Sequence, residues 1–324
     1  MFLNKIFLTS LIFISVQGCQ KTSRIERIYG EDRFETSMKI AENYYRESDT
    51  VFVANGINSA DALAAVPYAK QLNAPVILEK GKKPSEKLIK FVKNLKVKKI
   101  ILLGREKALS KEYEKAFSND CSVRKIGGLN RYETATLIGS EVKKKSKIKN
   151  RVFLVNGNSF SDSLALGGLS SKYEIPLIFT DINVIPDASK RFFDKNKITV
   201  YTLIGGENII SKEIEKKLFG YTSNRIFGVD RYETSDILNR ITYDKSETVI
   251  LVRGDKYADA ISGSALASKL KAPMFLIPGD EIRDDTIDII NNLLPKKVII
   301  LGGKNVISDD LECEILKKIK FEQY

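Results

Sequence analysis

Histidine is missing altogether from the 324 residues. Its absence removes Ser-His-Asp and Cys-His catalysis, HExxH zinc sites and any histidine pH switch. Tryptophan is absent too, so the strongest aromatic platform for stacking a sugar is missing. The three cysteines, Cys19, Cys121 and Cys313, have neither CxxC nor metal-ligand spacing. A disulfide-stapled scaffold and a structural zinc site are excluded on that ground, and no cofactor or metal is expected. What is present points to a folded basic protein. Hydrophobic residues make up 43 %, which rules out wholesale disorder. Lys and Arg number 53 against 41 Asp and Glu, a formal net charge of +12. Such a balance favours a polyanion: nucleic acid, anionic lipid or an anionic wall polymer. The competing explanation is lysine spread over solvated helix faces.

Lys5 precedes an apolar run at residues 6–16. That run falls well short of the roughly 20 residues a spanning helix needs, and it fits the apolar core of a secretory signal. It ends Val16-Gln17-Gly18-Cys19, which resembles a bacterial lipobox. The resemblance implies cleavage after residue 18, lipidation of Cys19 and a short tether at residues 19–24. An ordinary secretory signal is the alternative. With secretion, no nucleic-acid partner is expected.

The remainder is a threefold repeat. Gly30-Glu31-Asp32-Arg33-Phe34-Glu35-Thr36 returns as Gly128-Leu129-Asn130-Arg131-Tyr132-Glu133-Thr134 and as Gly228-Val229-Asp230-Arg231-Tyr232-Glu233-Thr234. In the same phase, Asn55-Gly56 leads to Asp61, Asn156-Gly157 to Asp162, and Arg253-Gly254 to Asp259. Proline-led apolar strings follow: Pro75-Val76-Ile77-Leu78, Pro176-Leu177-Ile178-Phe179 and Pro273-Met274-Phe275-Leu276. Each copy then closes an apolar run on glycine, at Gly104, Gly205-Gly206 and Gly302-Gly303. Four blocks in one order, three times, define repeats at residues 25–122, 123–223 and 224–324.

Each repeat alternates helix and strand. In the first, residues 51–54, 76–78 and 100–103 are short continuous apolar runs, the pattern of buried parallel strands. Helices are expected after Arg33, over residues 59–70, from Pro84 or Ser85 with Leu88, Phe91, Val92 and Leu95 as its apolar stripe, and from Ser110. The fold class is therefore α/β, with a parallel sheet in each repeat covered on both faces. No Pro- or Gly-rich linker separates the copies, so they should pack on one another.

This order of motifs resembles the cell wall-binding repeat type 2 family of Gram-positive bacteria, over almost the whole chain after residue 24. The resemblance implies three small α/β subdomains packed as a pseudo-threefold triangle. It implies non-covalent binding of an anionic secondary wall polymer, with the proline-led strings tied to that binding. The candidate contacts are thus Pro75, Val76, Ile77, Leu78, Pro176, Leu177, Ile178, Phe179, Pro273, Met274, Phe275 and Leu276. Their apolar character fits core strands equally well, with contact left to adjacent loops.

Arg33, Arg131 and Arg231 can fork onto phosphate or carboxylate, or can pair with Asp61, Asp162 or Asp259 as framework. Asp162 is a possible buried partner for Arg131. The aspartates follow a strand at a helix start, where a carboxylate satisfies free N–H groups. Lysines gather at Lys80, Lys82, Lys83 and Lys87 and again at Lys143, Lys144, Lys145 and Lys147. Cys121 and Cys313 occupy non-equivalent places, as two buried thiols or as one bridge between repeats. The expected function is polymer binding by a lipid-anchored, non-catalytic protein on the outer face of the cytoplasmic membrane, in contact with the wall. The alternative is a modifier or partner of a wall hydrolase, an autolytic amidase. An enzyme on this scaffold would need a carboxylate, lysine or tyrosine base.

Overall fold

In the computed structural model, residues 23–159, 161–218, 222–256 and 258–322 are described. Residues 1–22, with the signal-like run and Cys19, lie outside them. The chain opens with β1 (Ile25–Ile28) and α1 (Arg33–Tyr44), then β2 (Thr50–Asn55), α2 (Ala60–Gln71), β3 (Val76–Glu79), α3 (Glu86–Asn94), β4 (Lys99–Leu103) and α4 (Lys111–Phe117). The second copy supplies β5 (Ser122–Ile126), α5 (Arg131–Lys145), β6 (Arg151–Asn156), α6 (Leu166–Tyr173), β7 (Leu177–Thr180), α7 (Asp187–Lys195), β8 (Val200–Ile204) and α8 (Lys212–Lys217). The third supplies β9 (Thr222–Ile226), α9 (Arg231–Thr242), β10 (Thr248–Arg253), α10 (Ala258–Leu270), β11 (Met274–Ile277), α11 (Asp284–Leu293), β12 (Lys297–Leu301) and α12 (Asp309–Lys318). The three strands and four helices expected per copy are all there, and the fold is three parallel-sheet α/β subdomains.

Each sheet has four strands, and the fourth escaped the sequence reading. The orders are β3-β2-β4-β5, β7-β6-β8-β9 and β11-β10-β12-β1, with parallel pairing throughout. The strand that begins each sequence repeat therefore belongs to the sheet of the copy before it. The boundaries drawn at residues 122/123 and 223/224 pass through β5 and β9. β1, which opens the first copy, completes the third sheet beside β12, so the first and last strands close the ring. Ile28 lies opposite Leu301, and the Val298 amide donates to the Arg24 carbonyl at 2.8 Å. Arg27 on β1 bonds Glu312 on α12 and the carbonyls of Gly302 and Ile307. The same role falls to Lys125 with Glu114 and to Arg225 with Glu215 in the other two sheets.

Strand side chains alternate between two cores, as period-two geometry requires. In the first sheet Phe52, Ala54, Val76, Leu78, Ile101 and Leu103 face a core shared by all three copies. Val51, Val53, Ile77, Ile100 and Leu102 face an outer core capped by Leu88, Phe91 and Tyr113. The shared core forms where α2, α6 and α10 pack pairwise around the centre, flanked by α1, α5 and α9. Small residues set that approach: a Cβ on Gly167 of α6 would sit 2.0 Å from Ser264 Oγ of α10. Among the described residues no helix is long and apolar enough to cross a membrane.

Cys121 is buried and Cys313 half-buried, and both are free. The bridge between repeats does not form, and only one of the two thiols is buried.

Candidate functional site

The loop before each of α1, α5 and α9 is built by the repeated motif itself. Asp32, Asn130 and Asp230 are N-caps whose side chains accept from amides of the first helical turn. Glu35, Glu133 and Glu233 reach back to the amides of Glu31, Leu129 and Val229. Thr36, Thr134 and Thr234 accept from the amides of Gly30, Gly128 and Gly228. This is a capping box extended by one residue. The glycine is obligatory, since a Cβ at Gly128 would lie 2.1 Å from that of Glu133.

With Glu and Thr occupied by the loop, the arginine is left to span two copies. Arg33, Arg131 and Arg231 donate to the carbonyls of Gly56, Gly157 and Gly254 in their own repeat, at 3.1, 2.5 and 3.0 Å. Each guanidinium also faces the aspartate of the preceding copy. Burial pushes the Asp61 carboxyl up to about 6, opposed by Arg131. Burial raises Asp162 against Arg231, and raises Asp259 against a Thr36 hydrogen bond and Arg33. The carboxylate whose charge Arg131 opposes is thus Asp61, Arg131 reaches repeat 1 through a hydrogen bond from Nη2 to Asn58 Oδ1 at 3.1 Å, and Asp162, a possible partner of Arg131, lies near Arg231 instead. Asp61 Oδ2 rests against Gly104, Asp162 Oδ2 against Gly205 and Asp259 Oδ2 against Gly302, glycines with φ of +88°, +110° and +126°. Such φ values favour glycine, and they turn the backbone aside above the carboxylate.

These residues gather at the C-terminal ends of the strands, between β2 and β4 and their counterparts. There the strand order reverses, which is where open parallel sheets leave a ligand crevice. The crevice between repeats 1 and 2 encloses 620 Å³ and is lined by Asn55, Asp61, Arg105, Lys107, Asn130 and Arg131, among others. That between repeats 3 and 1 encloses 790 Å³, with Arg33, Asp255, Lys256, Asp259 and Lys304 in its walls. The floor is tied together by Asn55, whose amide donates to the Ala108 carbonyl at 2.8 Å while its oxygen accepts from Ile57 and Asn58. Asn156 does the same in repeat 2, and Arg253 replaces the asparagine in repeat 3, donating to the Val306 carbonyl. Charge is uneven among the copies. Residues 25–122 carry 18 Lys and Arg against 14 Asp and Glu, residues 123–223 carry 17 against 10, and residues 224–324 carry 15 against 17. An anion therefore meets its most favourable field at the crevice between repeats 1 and 2.

The proline-led strings lie elsewhere in role. Pro75, Val76, Ile77, Leu78, Pro176, Leu177, Ile178, Phe179, Pro273, Met274, Phe275 and Leu276 are all buried. Their side chains are core and cannot touch a polymer while the fold is intact. They form edge strands whose open side is covered by the helix opening the same copy. Ser37 and Ser235 accept from the amides of Leu78 and Leu276, so even the edge backbone is engaged. Lys143, one of the clustered lysines, is also buried, 6 % exposed, and burial lowers it to about 8. The crevice asparagines and the Arg105–Lys107 loop were not singled out from the sequence. The repeated Asn-Gly pair was the available signal.

Sequence models of the family described as cell wall binding domain 2 match residues 27–114, 125–215 and 225–312. The Bacillus subtilis N-acetylmuramoyl-L-alanine amidase LytC is 27 % identical over 304 residues, 93 % of this chain and 60 % of that protein. The amidase enhancer of Bacillus subtilis is 26 % identical over 89 % of this chain and 39 % of its own length. The chain thus spans less than two thirds of the length of these relatives. Cwp6 and Cwp8 from Clostridium difficile superpose with TM-scores of 0.82 and 0.80 at 23 % identity, covering 91 % and 94 % of this chain and 48 % and 53 % of theirs. That likeness concerns the fold. Three matches in tandem, spanning most of the residues after the first 26, make the chain a member of the cell wall binding domain 2 family and a cell-wall-associated protein.

Proposed function

We propose that the chain holds an anionic polymer of the cell wall in its inter-repeat crevices and acts without catalysis. Arg33, Arg131 and Arg231 are the central ligand donors. The observation that carries this reading is a recurring constellation: in all three copies a half-buried arginine is anchored to a glycine carbonyl, and between repeats 1 and 2 and between repeats 3 and 1 it lines a switch-point crevice. Guanidinium forks suit phosphate and carboxylate, and one rigid body bearing three weak sites gains avidity through effective concentration. In this reading Cys19 carries the lipid that fixes the protein to the outer face of the cytoplasmic membrane.

Isolated wall, intact or stripped of its anionic polymer, tests the proposal. The protein should sediment with intact wall, be released by raised salt and ignore stripped wall. Undiminished binding to stripped wall sinks it. The names of the two Bacillus relatives favour a second reading, in which the partner is a wall amidase; capture of such an enzyme by the protein on stripped wall would promote it.

A further inference from the structure

A further groove is formed by residues of repeat 1, between the first turn of α1 and the loop from β3 to α3, and shares Glu31 and Asp32 with the crevice between repeats 3 and 1. It encloses 450 Å³. Phe34, Met38 and Pro84 give it an apolar wall, and Lys82, Lys83 and Glu31 stand at its rim. Of its other ionisable groups, Lys80 pairs with Asp32 at 3.7 Å and sits 5.3 Å over the Phe34 ring, Lys87 pairs with Glu35, and the buried Glu79 accepts hydrogen bonds from Ser85 and Tyr113. The ammonium groups of Lys82 and Lys83 have no partner among the described residues, and both side chains are exposed.

Repeat 3 shows the same place filled. Arg283 stands where repeat 1 has Ser85, at the N-cap of the equivalent helix. Its guanidinium lies 4.9 Å over the Tyr232 ring and bonds Asp230 at 2.6 and 3.2 Å. Tyr232 and Asp230 are the counterparts of Phe34 and Asp32. In repeat 1 Lys80 makes the looser counterpart of these contacts, at 3.7 Å from Asp32 and 5.3 Å over Phe34, and beside it Lys82 and Lys83 stand unpaired at the rim of an open groove.

We infer that this groove is a subsite for one acidic sugar unit, with the apolar face of the sugar ring against Phe34, Met38 and Pro84 and its carboxylate or phosphate on Lys82 and Lys83. Pockets of this size, apolar with a few convergent polar groups, are what single ring-sized ligands occupy. The choice of a sugar rests on the wall-polymer reading; the two lysines that define the site lie in none of the crevice linings.

The test is amine acylation of the full chain, read lysine by lysine by mass spectrometry, with and without the soluble anionic polymer released from the wall of the producing bacterium. With polymer about tenfold above half-saturation, only about a tenth of sites stay free, so Lys82 and Lys83 should be acylated about tenfold more slowly. Lys107 and Lys256 report the crevices in the same experiment. Protection of Lys107 or Lys256 without Lys82 and Lys83 overturns the groove and leaves the crevices standing. Protection of Lys82 and Lys83 alone supports the groove and sinks the crevices, and protection of none overturns both. Lys82→Gln with Lys83→Gln, both exposed, should weaken binding about tenfold, and Ser85→Arg, which imports the plug of repeat 3, should abolish protection of Lys82 and Lys83. Unchanged affinity in the lysine variant, or protection that persists in a folded Ser85→Arg, also overturns it.

Discussion

Ring closure puts an unusual demand on one residue near the start of the fold. Arg27 is 285 positions from Glu312, yet its Nε donates to that carboxylate at 2.9 Å and its Nη1 to the carbonyls of Gly302 and Ile307 at 3.0 and 2.8 Å. The two side chains are 11 % and 19 % exposed, so water can replace only part of these bonds. Arg27→Ala leaves a carboxylate and two carbonyls short of a donor. Breaking a fully buried pair costs about 3–5 kcal/mol, and partial exposure here brings the expectation to about 2–3 kcal/mol. The loss should be local at first, because β1 is the last strand of its sheet and pairs with β12 alone. Native-state hydrogen exchange reads it directly. Amides of β1 and β12 should exchange about 30- to 150-fold faster, the factor such an energy supplies, with β2 and β4 of the first sheet changing far less. Arg27→Ala combined with Glu312→Ala should be less destabilising than the two single losses added. Uniform acceleration across all three sheets, or none at β12, would refute the idea that the ends latch the ring as a separable unit.

Acidity gives a second test. Burial raises Asp61 to about 6 and Asp236, with Thr286 and Arg283 opposing, to about 7. A carboxyl raised in the fold binds its proton more tightly folded than unfolded, so stability falls as pH climbs from about 4 to 7, on the order of 2–4 kcal/mol for each group. Glu141, lowered to about 2 by Arg124, works the other way: its contribution is present above the ordinary carboxylate range and lost as pH falls toward 2. The melting temperature should peak near pH 4–5, and Asp61→Asn with Asp236→Asn should flatten the decline above it; an unaltered profile counts against buried, protonatable aspartates. A thiol reagent should modify Cys313 in the native protein and Cys121 only after unfolding, since Cys121 is buried, donates to the Val97 carbonyl and is held above the ordinary thiol range by burial and Asp120. Equal native rates would contradict that burial. Cys19→Ala should move the protein out of the membrane fraction, because stable anchoring takes two acyl chains; retention after a high-salt wash would exclude lipidation at this residue.

Most of the alternation was legible because buried parallel strands have no polar face to disguise them. Residues 51–54 and 100–103 are continuous apolar runs, and β2 and β4 enclose them with one or two residues to spare. β1, β5 and β9 were illegible for the opposite reason. Ile-Glu-Arg-Ile and Ser-Val-Arg-Lys-Ile are half-exposed edge strands, rich in the charged residues that blunt an edge. Without them the repeat looks closed on itself, and the offset between sequence copy and sheet cannot be seen. The proline-led strings illustrate a related limit. Their recurrence marks importance, but recurrence does not distinguish a strand that touches a ligand from one that holds the loop beside it.

The offset decides what the repeated Arg and Asp can do. Were each copy a closed unit, Arg131 would face Asp162 and any site would lie within one subdomain. Because the strand leading to Arg131 belongs to the first sheet, Arg131 is carried to the switch point of that sheet, where Asp61 waits, and then opens a helix that packs into the second. Every crevice is therefore assembled by two copies, and the crevice between repeats 3 and 1 by the two ends of the chain. A perturbation at Arg27 consequently reaches Arg33 and Asp259 without touching either, and loss of latching should open that crevice first while the Arg131–Asp61 crevice keeps its geometry.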